Sequence, residues 1–285
     1  MGTLTLTDTT RLRRAAGRGA DILVANAITA DDQTTWLAAT IERVGDGHQT
    51  IHRTGDPTLY DGSAGIALAC WSAAATLDRT DLADLALRAA RHAIASADRV
   101  PRTGLFDGTT GIALTALDLG ARADDRHLHA SGSALLDRVA TTPPCATDLV
   151  SGSAGIVLAL LAAARAAESD RWLTAAARHG ERLLAETARY GLSGDGEAPL
   201  CGLAHGAAGV AWALGALAEE TGDERFGEAV GVARAYERSW FQPVRSGWPD
   251  LRPEGGPAVC PALWCHGATG IGLGRLALYR RAAHP

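Results

Sequence analysis

Two histidines stand immediately before a glycine in closely similar settings, Ala204-His205-Gly206 and Cys265-His266-Gly267. An imidazole titrates near neutral pH, so a pair in equivalent places can take up and release protons at one site. A thiolate beside such a pair is a nucleophile or a metal ligand. The slot before the glycine is filled in other copies by Asp61, Asp107 and Ser151. Aspartate and serine are the usual side chains that cap a helix N-terminus, which predicts that these three are caps. Histidine caps poorly, so His205 and His266 point to chemistry.

The slots belong to a repeat. Asp61-Gly62-Ser63-Ala64-Gly65, Asp107-Gly108-Thr109-Thr110-Gly111, Ser151-Gly152-Ser153-Ala154-Gly155, His205-Gly206-Ala207-Ala208-Gly209 and His266-Gly267-Ala268-Thr269-Gly270 align without gaps. Their first glycines are 46, 44, 54 and 61 residues apart, intervals that fit a two-helix unit and exceed a heptad or a leucine-rich repeat. Each Gly-x-x-Gly opens an apolar helix, as in Gly65 to Ala75 and Gly155 to Ala166. Amphipathic helices alternate with them over Leu82 to Ser96, His127 to Thr141, Arg171 to Thr187 and Glu224 to Trp240. The pattern predicts an all-α fold, an α/α solenoid or toroid of hairpins with buried inner and half-exposed outer helices. Inner helices that start alike should direct open N–H groups to one end, favouring a thiolate or an enolate there. Loops are expected at Thr142 to Cys145, Gly191 to Pro199 and Pro243 to Pro257, with no linker dividing residues 1–285 and a helical lead-in over 1–34.

Composition agrees. A hydrophobic share of 47% with 5% aromatics favours a large helical core over a sandwich or barrel. A net charge of −5 without a basic stripe gives no reason to expect nucleic acid. Residues 1–20 lack the apolar core of a secretory signal, and no apolar stretch is long enough to span a bilayer, so a cytoplasmic protein with reduced thiols is expected. Of the five cysteines, Cys70, Cys145 and Cys201 read as small buried hydrophobes.

The ordered set "LYDGSAGIAL", "GLAHGAAGV" and "WCHGATGIGL" resembles the lanthionine synthetase C-like (LanC-like) proteins over about residues 35 to 285. The resemblance implies an α/α toroid of seven hairpins, five of which this sequence carries, and a bound Zn2+. It also implies Michael addition of a peptide cysteine to dehydroalanine or dehydrobutyrine. On the family pattern His205 is the acid/base, Asp148 of "TDLVSGSAGI" its supporting carboxylate and Cys265 the first zinc ligand, with His266 a secondary polar group at the same mouth. The sequence departs from the pattern at Pro261, where the family has Arg, and in having no later Cys-His pair for the other zinc ligands. The expected partners are a dehydrated precursor peptide and either a dehydratase or kinase-lyase or a second chain that completes the toroid. The alternative is a non-catalytic or partner-completed LanC-like subunit that binds a precursor peptide or a modifying enzyme. A glycosidase would need two carboxylates across a groove, and the aspartates available, Asp61 and Asp107, read better as caps.

Overall fold

The computed structural model describes residues 6–144, 146–190, 198–252 and 259–283. Cys145, most of the loop expected from Gly191 to Pro199 and the end of that from Pro243 to Pro257 lie outside them. The elements run α1 (Leu6–Ala25), β1 (Ile28–Ala30), β2 (Gln33–Thr35), β3 (Leu37–Val44), β4 (Gly47–Thr54), α2 (Ser63–Leu77), α3 (Thr80–Ala95), α4 (Thr109–Arg122) and α5 (Arg126–Thr141). They continue with α6 (Ser153–Ala166), α7 (Leu173–Thr187), α8 (Ala207–Thr221), α9 (Glu224–Ser239) and α10 (Ala268–Ala283). The expected amphipathic helices are α3, α5, α7 and α9, and the expected apolar ones are α2, α4, α6, α8 and α10.

The chain divides into two compact units, residues 1–101 with 111–135, and residues 102–110 with 136–285. In the first, Leu82, Ala86 and Ala89 of α3 pack with Cys70 of α2, Leu119 of α4 and Leu128 of α5 in one buried cluster. The lead-in is helical only as α1; antiparallel pairs β1–β2 and β3–β4 follow it. Trp36, between them, is buried and donates its indole N–H to the Leu23 carbonyl at 2.8 Å. In the second unit α6 and α8 are buried along most of their length, as helices without a polar face must be. Leu160, Leu161 and Leu214 are fully buried, each contributing about 1.5–3 kcal/mol by leaving water. α8 ends on Gly222 at φ +69°, a left-handed cap that suits glycine, and Asp223 caps α9 by accepting from the Arg225 amide.

The inner-helix starts differ from expectation in one respect. The N-caps of α2, α6 and α8 are Gly62, Gly152 and Gly206, with no side-chain cap, so Asp61 and Ser151 are not caps. The loop supplies the acceptors instead. The first helical amide, that of Ser63, Thr109, Ser153, Ala207 and Ala268, donates to the carbonyl seven residues upstream, of Asp56, Arg102, Ala146, Leu200 and Pro261 respectively. In α2, α6 and α8 the second amide does the same with Pro57, Thr147 and Cys201. The first N–H expected to lie open for an anion at each inner helix, and the second at α2, α6 and α8, are therefore used in closing the turn. The glycines follow from this closure: a Cβ on Gly152 or Gly206 would overlap the carbonyl that receives the first amide.

The sequence Ala-Ala-Arg-His occurs on two outer helices, ending in His92 of α3 and His179 of α7. Within the first unit His92 Nδ1 lies 3.1 Å from Ser63 Oγ, at the start of α2. Within the second, His179 Nδ1 lies 3.0 Å from Ser153 Oγ, at the start of α6. His179 is fully buried and its Nε2 has no partner among the described residues. Burial, with the nearby Arg178 charge, pushes it down to about 4.

Candidate active site

The second unit brings the turns of repeats two to five together through their backbones. Phe106 donates its amide to the Val150 carbonyl at 2.9 Å, Leu149 to Ala204 at 2.9 Å, and Ala204 to Cys265 at 3.2 Å. Each of these residues adjoins a slot or site residue: Asp107, Ser151, Asp148, His205 and His266. The backbone stitching thus holds these residues in adjoining turns. Gly202 is required by it, since a Cβ there would overlap the Cys265 carbonyl oxygen and lie 3.0 Å from the His266 Cα.

On this frame His205 Nδ1 sits 3.4 Å from Asp148 Oδ1, with the imidazole about one third exposed and the carboxylate more buried (side-chain exposures 37% and 20%). The same Oδ1 accepts from the Val150 and Ser151 amides at 2.8 and 2.7 Å, which anchor the carboxylate independently of the histidine. Burial alone would raise the Asp148 carboxyl. The His205 hydrogen bond, the Ser151 amide, the His205 charge and the Val150 amide together outweigh it and hold the group below the usual carboxylate range. An ionised Asp148 therefore faces Nδ1, which leaves Nε2 as the imidazole atom that can exchange a proton with a reacting molecule.

His266 stacks on His205, ring centroids 5.3 Å apart and planes at 19°. It also acts electrostatically on buried Asp250, whose carboxylate is held low chiefly by Arg252. Cys265 and His266 are partly buried in the same turn. Phe106 and Trp264, one before Asp107 and the other before Cys265, approach to 5.9 Å between ring centroids, so half-buried aromatic surface accompanies the polar groups. Of the residues named from sequence, Asp148, His205 and His266 come together, and Cys265 is tied to them through its carbonyl. Asp61 is an exposed residue of the first unit. Asp107 faces Ser151, its Oδ2 accepting from Ser151 Oγ at 2.8 Å. Asp250, Phe106 and Trp264 were not singled out from sequence; the aromatic pair had a signal in lying directly N-terminal to Asp107 and Cys265.

The donor set does not make a zinc site by itself. Among the described residues no three His, Cys, Asp or Glu side chains converge as ligands, whereas a zinc site takes three or four from protein. The Cys201 thiol lies in an apolar cluster with Ala208, Trp248 and Ile271, and burial pushes it up to about 12, the wrong direction for a ligand. The Cys260 thiol points to Gln242 Oε1 at 3.6 Å.

Solved structures share this fold. Nisin cyclase matches with a TM-score of 0.64 at 18% identity, over 81% of this chain and 67% of that one. Residues 53–284 match the family model described as lanthionine synthetase C-like protein, and the chain belongs to that family. A search of curated proteins gave no match. No helix among the described residues is long and apolar enough to cross a membrane.

Proposed function

We propose that the chain is a lanthipeptide cyclase, joining a cysteine thiol of a dehydrated precursor peptide to a dehydroalanine or dehydrobutyrine of the same peptide. The observation that carries this is the 3.4 Å contact between His205 Nδ1 and Asp148 Oδ1, set beside His266 and the Cys265 turn. The reaction needs one proton removed and one returned. The peptide thiol gives its proton to His205 Nε2, and the thiolate attacks the β-carbon of the dehydro residue. The C–S bond forms as the C=C π pair moves onto the α-carbon and its carbonyl, giving an enolate. The imidazolium then returns a proton to the α-carbon, so atoms and charge balance. Asp148 holds the ring with Nε2 outward and stabilises the imidazolium between the two transfers. His266, stacked on His205, limits the ring's rotation.

The Zn2+ implied by the family would supply a Lewis acid that stabilises thiolate at neutral pH. In this proposal Cys265 is its ligand from the described residues, and the remaining donors come from outside them. A second reading, a non-catalytic subunit that binds the precursor peptide or its dehydratase, is favoured by Pro261 standing where the family motif has Arg. A dehydrated peptide incubated with the chain separates the two. Loss of alkylatable thiol, read by mass spectrometry, is the cyclase result. Saturable peptide binding with every thiol retained is the result for the binding subunit and refutes the cyclase.

A further inference from the structure

Asp107 has lost the role its position implies. The first amide of α4 is taken by the Arg102 carbonyl, at 3.0 Å, so the carboxylate is not needed to close that helix. It turns instead toward repeat three. Its Oδ2 accepts from Ser151 Oγ at 2.8 Å and pairs with Arg102 Nε at 2.8 Å. Its Oδ1 is buried with no hydrogen-bond partner among the described residues. A buried charged oxygen without a donor is costly and is kept where the arrangement serves something else. Gly104 makes the arrangement possible, because a Cβ there would overlap Asp107 Oδ1 and come within 2.6 Å of both the Ser151 Cα and the Val150 carbonyl oxygen.

What this loop grips is the pair of residues that hold Asp148. Phe106 donates its amide to the Val150 carbonyl, and Asp107 receives the Ser151 hydroxyl. The amides of those same two residues, Val150 and Ser151, donate to Asp148 Oδ1. Repeat two therefore clamps the two residues of that cradle by one backbone bond and one side-chain bond.

The geometry points to Asp107 as a positioning residue for the proton-transfer pair, acting through Ser151 on Asp148 and through Asp148 on His205. This rests on the reading of Asp148 and His205 given above. Loss of Asp107 removes its carboxylate as the acceptor of the Ser151 hydroxyl, lets the Val150–Ser151 turn relax and loosens one of the bonds that aim Asp148 at Nδ1. The chemical step suffers while peptide binding does not. Side-chain partners that orient an acting group typically influence rates by about 10- to 100-fold.

The test is a double-mutant cycle on the full chain, with a dehydrated peptide as substrate and thiol loss as readout. Asp107→Ala is expected to lower kcat about tenfold with KM within about twofold, and to cost less than about twofold further in an Asp148→Asn background. An equal tenfold loss in both backgrounds, or an unchanged kcat in the single variant, overturns the proposal. Asp107→Asn, which keeps the shape, guards against a folding defect. In that variant the amide NMR signals of Val150 and Ser151 should both move, and signals that stay in place overturn the coupling. The NMR result stands whether or not the chain forms rings, so a failure of the cyclase reading is distinguishable from a failure of this one.

Discussion

Acid should weaken the second unit through one buried imidazole. His179 is fully buried against Ser153, the first residue of α6, and burial holds it down to about 4 against an ordinary value near 6.5. The unfolded chain therefore binds a proton that the folded chain refuses between those two values. Stability is complete above about pH 6.5 and is lost as the pH falls toward 4. A difference of roughly 2.5 units amounts to about 3 kcal/mol in full, of which about 2 kcal/mol is lost by pH 5. Depressed carboxylates such as Asp148 lose their contribution only below their unfolded values, near pH 4, so the window from 6.5 to 4.5 belongs to histidine. His92, lowered by burial and the Arg99 charge, acts in the same direction in the first unit. Urea unfolding of the parent and of His179→Gln at pH 7.5 and pH 5 measures the effect. The parent should lose about 2 kcal/mol more than the variant between the two conditions. An equal loss in both would refute the assignment of the titration to His179.

Three further outcomes follow from particular contacts. Gly202→Ala places a methyl group on the Cys265 carbonyl and should cost about 2–4 kcal/mol, seen as a lower melting temperature together with lost activity. Glu237 of α9, with a side chain only 2% exposed, pairs with Arg275 of α10 at 2.6 Å. Because Arg275 keeps contact with water, Glu237→Ala should destabilise by about 1.5–3 kcal/mol in denaturant titrations, and no measurable loss would show that the pair is not held in solution. Zinc carried by the purified chain should be absent from Cys265→Ala by elemental analysis, and metal retained in that variant would remove Cys265 from the ligand set.

The glycine spacing made the helical repeat legible because in repeats one, three, four and five each of the two glycines lies against the backbone carbonyl six residues upstream. The outer helices were legible from amphipathic periodicity, and α9 begins where the pattern put it, at Glu224. The slot was misread for Asp61, Asp107 and Ser151. A preference for Asp and Ser at helix starts says nothing about a loop whose own carbonyls take the first amides. β3 and β4 went unread although Gly45-Asp46 marks a two-residue hairpin turn, with Gly45 at φ +61°. Most of that hairpin is exposed, so it lacks the alternating apolar face that signals a strand. The His92–Ser63 and His179–Ser153 bonds join residues far apart in sequence, and their one local trace is the repeated Ala-Ala-Arg-His. At the site, His205 and Asp148 were legible through the family resemblance. Asp250 and the clamp by Asp107 depend on tertiary contacts that no local pattern carries.

The claim that matters most is that His205, aimed by Asp148, moves the protons of ring formation. The most direct measurement is the rate of thiol loss from a dehydrated peptide with the parent chain and with His205→Ala, each checked for folding by circular dichroism. The account predicts a fall of about 10²-fold or more with an unchanged spectrum. Rings formed by the variant at the parental rate would contradict it.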